Sequence, residues 1–158
     1  MAFAGESQAN HRYLAFAKKA EQEGRPQVAR LFRAAADAET IHAMNHLKAM
    51  DGVKSTEENL QEAVRGETRE FTDMYPGMIL RAEKAGKSMA VSSFTDANKV
   101  EKIHAGMYEE AMQAVKKGKD LEPADMYVCQ VCGNTVKGEP PGTCPICGMP
   151  KSKFKKIE

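Results

Sequence analysis

The stretch ADAETIHAMNH, Ala36 to His46, lies in the middle of a helical pattern and sets Glu39 and His42 where an amphipathic helix would carry apolar side chains. Val28, Leu31/Phe32, Ala35, Glu39, His42, His46 and Met50 step by three or four and share a face. Arg30, Arg33, Asp37, Thr40 and Lys48 fall outside it. The pattern begins at Pro26, where a first helical turn tolerates proline, and breaks at Asp51-Gly52. A carboxylate and an imidazole on the inward face need a partner there, and the rest of the chain supplies candidates.

A first helix is predicted over residues 3–24, with Phe3, Glu6, Asn10, Tyr13 and Ala17 aligned. A third begins near residue 56 behind Ser55, whose spacing to Glu58 reads as a capping box, and runs to about residue 85 with a bend near Pro76. It aligns Leu60, Val64, Glu67, Phe71, Met74 and Met78, with Glu70 close to Glu67. A fourth, over about 88–117, aligns Val91, Phe94, Asn98, Glu101, His104, Tyr108, Met112 and Val115. The helices repeat: AEQEG at Ala20–Gly24 returns as AEKAG at Ala82–Gly86, and the same shift of 62 takes Tyr13 to Tyr75, Glu39 to Glu101 and His42 to His104. Helices of this length predict an all-α four-helix bundle built from two related hairpins.

Glu6, Glu39, Glu67, Glu70 and Glu101 thus fall near one level of the expected core, with no lysine or arginine in register. Burying a single unpaired carboxylate costs several kcal/mol. Two divalent ions between them would remove that cost, and oxygen ligands with a little imidazole suit iron or manganese. One Glu from each of two helices and Glu-x-x-His from the other two is the ligand pattern of di-iron and di-manganese bundles. His46, whose repeat position is Tyr108, and His11 read as ordinary polar side chains. Tyr13 and Tyr75 are core aromatics or hydrogen-bond donors beside the metal.

The bulk numbers exclude several alternatives. With 23 basic and 22 acidic residues, net charge +1, no face is committed to nucleic acid or anionic lipid. No apolar run approaches a membrane span and no signal-peptide pattern is seen, so a cytoplasmic protein is expected. All four cysteines lie in two C-x-x-C pairs, Cys129/Cys132 and Cys144/Cys147, a spacing for one tetrahedral ion rather than for a disulfide framework. Zinc would make this tail a structural ribbon and iron an electron carrier. Its small apolar set is Tyr127, Val128, Ile146 and Phe154, so the metal must supply much of its stability. The expected domains are the bundle over 1–120, a linker over 121–126 around Pro123, and the metal domain over 127–158.

The segments AFAGESQANHRY, ADAETIH, GETREFTDMYP and VEKIH, with YVCQVCG and CPICG in the tail, resemble the rubrerythrin family over nearly the whole chain. That resemblance implies a ferritin-like di-iron bundle with a C-terminal rubredoxin-like Fe(Cys)4 domain, zinc being an alternative occupant as isolated. It implies a peroxidase that reduces hydrogen peroxide to water and protects against oxidative stress. Electrons would come ultimately from NAD(P)H through separate carriers, a rubredoxin or a reductase. It also implies that Glu6 is a terminal ligand, that Glu39 and Glu101 bridge the irons, and that Glu67 and His104 bind one iron. The other iron exchanges Glu70 for His42 on reduction, with Tyr13 and Tyr75 beside the site. The rival readings are a ferritin-type oxidase using dioxygen and a non-enzymatic bundle carrying a zinc ribbon.

One departure bears on assembly. A ferritin-like bundle requires the connection between second and third helices to travel back along the bundle, about 35–40 Å. Residues 51–58 span at most about 27 Å fully extended. Either the helix ends unwind, or the third and fourth helices pack on the first two of a partner chain. The second arrangement, a homodimer with exchanged helices, is the one favoured.

Overall fold

Helices α1 (Ala2–Gln22) and α2 (Pro26–Ala49) form the first hairpin. The turn between them is closed by the Gly24 amide donating to the Glu21 carbonyl at 3.0 Å and the Arg25 amide to the Ala20 carbonyl at 2.8 Å. Gly24 makes this possible at φ +71°, where a side chain would be strained. The computed structural model describes residues 1–158, which divide into two compact units, Met1–Lys54 and Ser55–Glu158.

In the first unit the seam between the helices is built of alanine. Ala9, Ala17 and Ala20 of α1 and Ala29, Ala36 and Ala43 of α2 are buried, the last three at seven-residue intervals that keep one narrow stripe facing α1. Small side chains allow close approach, and Tyr13, Phe16 and Phe32 stack over one end, Tyr13 and Phe32 with centroids 6.1 Å apart. The stripe expected to face inward lies beside this seam and is largely uncovered. Leu31 is 69% exposed, Val28, His42 and Met50 of the same stripe are exposed, and so are Ile41 and Met44 outside it. Two helices share a single seam, and the alanines occupy it.

The second unit opens with α3 (Thr56–Arg69), started by the expected capping box. Glu58 donates its amide to the Ser55 hydroxyl and returns its carboxylate to the Ser55 amide. The third helix is not one bent rod. A π-helical segment, Glu70–Met74, separates α3 from α4 (Tyr75–Lys84). Pro76 has no amide to give the Thr72 carbonyl, and the Tyr75 amide reaches five residues back to Glu70. Helix α5 (Ser88–Lys116) packs along α3 and α4. The turn before it repeats the first: Gly86 to Glu83 at 3.0 Å and Lys87 to Ala82 at 2.9 Å.

The tail of this unit is a three-stranded antiparallel sheet of order β2-β1-β3, with β1 (Met126–Cys129) central between β2 (Thr135–Lys137) and β3 (Phe154–Ile157). Tyr127, Val128, Ile146 and Phe154 are only partly buried, whereas Cys129, Cys144 and Asn134 are fully enclosed. The thiols themselves form the centre of the domain, as expected where metal replaces a core.

Candidate metal centres

In the first hairpin α1 and α2 bring Glu6, Glu39 and His42 together, with ligand atoms within 4.8 Å of one another. One turn of helix separates Glu39 from His42, so Oε2 lies 2.9 Å from Nδ1. Glu6 comes from the other helix, and its register is fixed by Asn10. The Asn10 amide donates across the seam to the Ala36 carbonyl at 2.7 Å and the Thr40 hydroxyl at 2.8 Å. His46 stands 4.0 Å from Glu6. His11 meets only the Ser7 carbonyl of its own helix, at 2.9 Å.

The second hairpin repeats the set. Glu67 of α3 with Glu101 and His104 of α5 again fall within 4.8 Å, and Glu101 Oε2 lies 2.8 Å from His104 Nδ1. The stack of Tyr75 on Phe94, 6.2 Å apart, is the image of Tyr13 on Phe32 under the same shift of 62. The match is not perfect: Glu6 to Tyr13 is seven residues and Glu67 to Tyr75 is eight. The π-helical segment absorbs the extra residue, and Glu70 begins it. Glu70 belongs to neither three-ligand set. It is near enough for its charge to act on Glu67 and Tyr75.

The electrostatics show what the second set lacks. Burial, a shared hydrogen bond with Glu101, and the charges of Glu101 and Glu70 push Glu67 from 4.5 up to about 7. Glu70 is raised by burial and by the Glu101 charge. Burial and the charges of Glu101, Glu70 and Glu67 raise Tyr75, so its phenol stays a donor. Carboxylates crowded around an imidazole nitrogen need either protons or a cation between them, and the donor set of oxygen with one nitrogen per hairpin fits iron.

The four thiols are free and converge in pairs, Cys129 to Cys147 at 3.7 Å and Cys132 to Cys144 at 3.6 Å. A tetrahedral ion with bonds of about 2.3 Å has sulfur–sulfur edges of about 3.8 Å, so the cage fits one without rearrangement. The two knuckles are built alike. The Gly133 amide returns to the Cys129 carbonyl and the Gly148 amide to the Cys144 carbonyl, both at 2.9 Å, with φ +83° and +74° at the glycines. Burial pushes the Cys144 thiol up, but the amides of Cys147 and Ile146 and the neighbouring thiols outweigh it and bring it to about 7. Burial raises Cys132.

Three polar residues of these centres are absent from the sequence reading as functional groups: Asn10, Asn134 and Thr135. Asn10 carried a signal, being polar on an inward stripe. Asn134 is 1% exposed and aims its amide at the Cys144 sulfur, 3.7 Å away. Thr135 reaches His104 at 2.9 Å. No helical or strand period distinguishes these two from their neighbours in the sequence.

A family model described as Rubrerythrin matches residues 1–112, and one described as the rubredoxin-like domain of rubrerythrin matches residues 127–155. Among curated proteins, Rubrerythrin-2 of Clostridium acetobutylicum is 37% identical over 98% of this chain and 91% of its own length. Nigerythrin of Nitratidesulfovibrio vulgaris is 37% identical over 97% of this chain and 81% of its own. A solved structure of nigerythrin in its fully reduced, all-ferrous state has a TM-score of 0.60 at 36% identity, covering 99% of this chain and 83% of that one. No helix is long and apolar enough to cross a membrane. The chain belongs to the rubrerythrin family, with a di-iron site in its ferritin-like helices and a four-cysteine site in its rubredoxin-like tail.

Proposed function

We propose that this oxidoreductase is a peroxidase: hydrogen peroxide takes two electrons and two protons and leaves as two waters. Electrons arrive singly through the four-cysteine iron from separate protein carriers, ultimately from NAD(P)H, in the cytoplasm. Glu6, Glu39 and His42 of the first hairpin and Glu67, Glu101 and His104 of the second would hold the metal, with Glu39 and Glu101 as the carboxylates shared between the two ions. Glu70 and His42 would be the alternative ligands of one ion, because gaining electrons favours exchanging a carboxylate for a neutral imidazole. The iron pair, when bound, supplies the two electrons that break the O–O bond. Tyr75 offers its phenol proton beside the carboxylates, and Tyr13 occupies the equivalent place in the first hairpin.

The observation that carries this reading is the hydrogen bond of His104, at its far nitrogen, to the rubredoxin-like tail. A storage protein needs no electron entry at a ligand, whereas a peroxidase that turns over does. Stopped-flow oxidation of the reduced, iron-loaded protein tests it. Peroxide is expected to oxidise the bundle iron faster than dioxygen does, followed by loss of reducing electrons from the thiolate iron. Faster reaction with dioxygen would return the assignment to a ferritin-type oxidase, and zinc in the thiolate cage would remove the relay.

We further propose that the working unit is a homodimer with exchanged helices. Helix α2 is intact to Ala49 and α3 begins at Thr56, so unwound helix ends do not lengthen the connection. Seven Cα steps reach about 25 Å, whereas α2 itself is about 36 Å long. The uncovered face of the first hairpin, Leu31, Ile41 and Met44 among it, is the surface that such a partner would bury.

A further inference from the structure

We propose that Thr135 of the rubredoxin-like tail is a positioning residue whose hydroxyl sets the His104 ring for metal. The inference rests on the reading of His104 as a ligand.

Thr135 has one hydroxyl proton, and its partners fix where that proton goes. The Gly133 carbonyl, 3.2 Å away, can only accept, so the hydroxyl donates to it. The oxygen is then left as an acceptor toward His104 Nε2 at 2.9 Å, so Nε2 carries the ring proton. Nδ1 is consequently free of a proton, and its lone pair points at Glu101, 2.8 Å away, and Glu67, 3.9 Å away. An imidazole held in this tautomer between two carboxylates is prepared for a cation at Nδ1. The residue that prepares it belongs to the other metal domain.

The approach of the tail to α5 is not a single contact. Thr135 and Lys137 are two residues apart on β2 and face the same way, and Gly133 precedes them in the turn. At Gly133 an added Cβ would meet the buried Val100 side chain at 3.9 Å, one turn before His104. Lys137 pairs with Glu110 at 3.1 Å. Thr135 sits between these two ties, so the hydroxyl is held against the ring rather than merely near it. On its other side the path is short. Gly133 is bonded to Cys132, and its amide donates to the Cys129 carbonyl at 2.9 Å. From the Cys132 sulfur to His104 the connection therefore runs through backbone and two hydrogen bonds, with no open gap.

The test uses the full-length chain with Thr135→Val, which keeps shape and strand preference, and Thr135→Ser, which keeps the hydroxyl. Ferrous ion affinity of the bundle is measured anaerobically by competition with a chelator, and the relay is followed by the lag between bundle oxidation and the change in the thiolate–iron absorption. Loss of an outer hydrogen-bond partner of a ligand histidine lowers metal affinity by about 10–100-fold. That loss, together with a longer lag, is expected for Thr135→Val, with both restored in Thr135→Ser. Affinity and lag in Thr135→Val equal to the unmodified protein would overturn the proposal. So would a Thr135→Ser protein as impaired as Thr135→Val, because packing rather than the hydroxyl would then be responsible. The affinity measurement needs no peroxide, so an unreactive protein that still shows the affinity difference would remove the peroxidase reading and leave this one standing.

Discussion

The two helical hairpins present the same chemistry from different surroundings. In the first, Glu6, Glu39 and His42 sit on two helices that meet along a seam of alanines, and the His42 side chain is 55% exposed. In the second, Glu67, Glu101 and His104 are enclosed by α4 and by the rubredoxin-like tail, and the His104 side chain is 26% exposed. The first hairpin has a bare outer face, and the second adds a π-helical turn with Glu70 and a hydrogen bond to the electron-carrying domain. The symmetry provides two half-sites, and the asymmetry divides the labour. One half leaves its histidine open, while the other ties its histidine to the rubredoxin-like tail.

The largest effect tests whether those halves meet across chains. Glu39→Ala and Glu101→Ala each remove a carboxylate proposed to bridge the metals, and each variant alone should lose peroxide turnover by at least about 100-fold, the scale lost with one electrostatic partner of a transition state. Unfolded together and refolded as mixed dimers, they should regain activity. With exchanged helices, one bundle of each mixed dimer collects both lesions and the other collects none. Were each bundle made by a single chain, every bundle would keep one lesion, and the mixture would stay as inactive as its parts.

The enclosed half should also answer to pH where metal is absent. Glu67 sits at about 7 in the folded protein against 4.5 ordinarily, so between those values the fold holds a proton that the unfolded chain has released. Stability of the metal-stripped protein is therefore fully present below about pH 4.5 and declines as pH rises to about 7. Thermal melts at pH 5 and 7.5 should show the higher midpoint at pH 5. Glu67→Gln should flatten that difference, and loading with iron should reverse it, because protons compete with the ion. A stripped protein that melts higher at pH 7.5 would mean that Glu67 is not enclosed as described.

How much of this was written in the residues differs between the parts. The spacing of Cys129, Cys132, Cys144 and Cys147 specifies the cage by itself, because C-x-x-C with a following glycine closes a turn through local hydrogen bonds. The shift of 62 was legible because each hairpin reuses one solution to one packing problem, down to the turns at Gly24 and Gly86. The burial of Leu31 was misjudged because helical period tells which side chains share a face and not what covers that face. The π-helical segment could have been found: the eight residues from Glu67 to Tyr75, against seven from Glu6 to Tyr13, already record one residue too many. Thr135 lay beyond reach, since its role depends on how the tail docks on α5.

The smallest effect separates how the hairpins begin. Ser55 caps α3 with both bonds of the capping box, whereas α1, α2 and α5 start at Met1, Arg25 and Lys87 with no side-chain cap. Ser55→Ala removes the acceptor for the Glu58 amide and the hydroxyl that donates to the Glu58 carboxylate, a loss of about 1 kcal/mol. Lys87→Ala, at the same place before α5, removes no such bond and should change stability by less than about 0.5 kcal/mol. Urea unfolding of the iron-loaded protein reads both as shifts of midpoint at unchanged slope. Equal shifts for the two would mean that the start of α3 is held by the helices packed on it rather than by its cap. In that case the short connection from Ala49 to Thr56 would owe its sharp end to packing against neighbouring helices, and the local signal at Ser55 would be incidental to it.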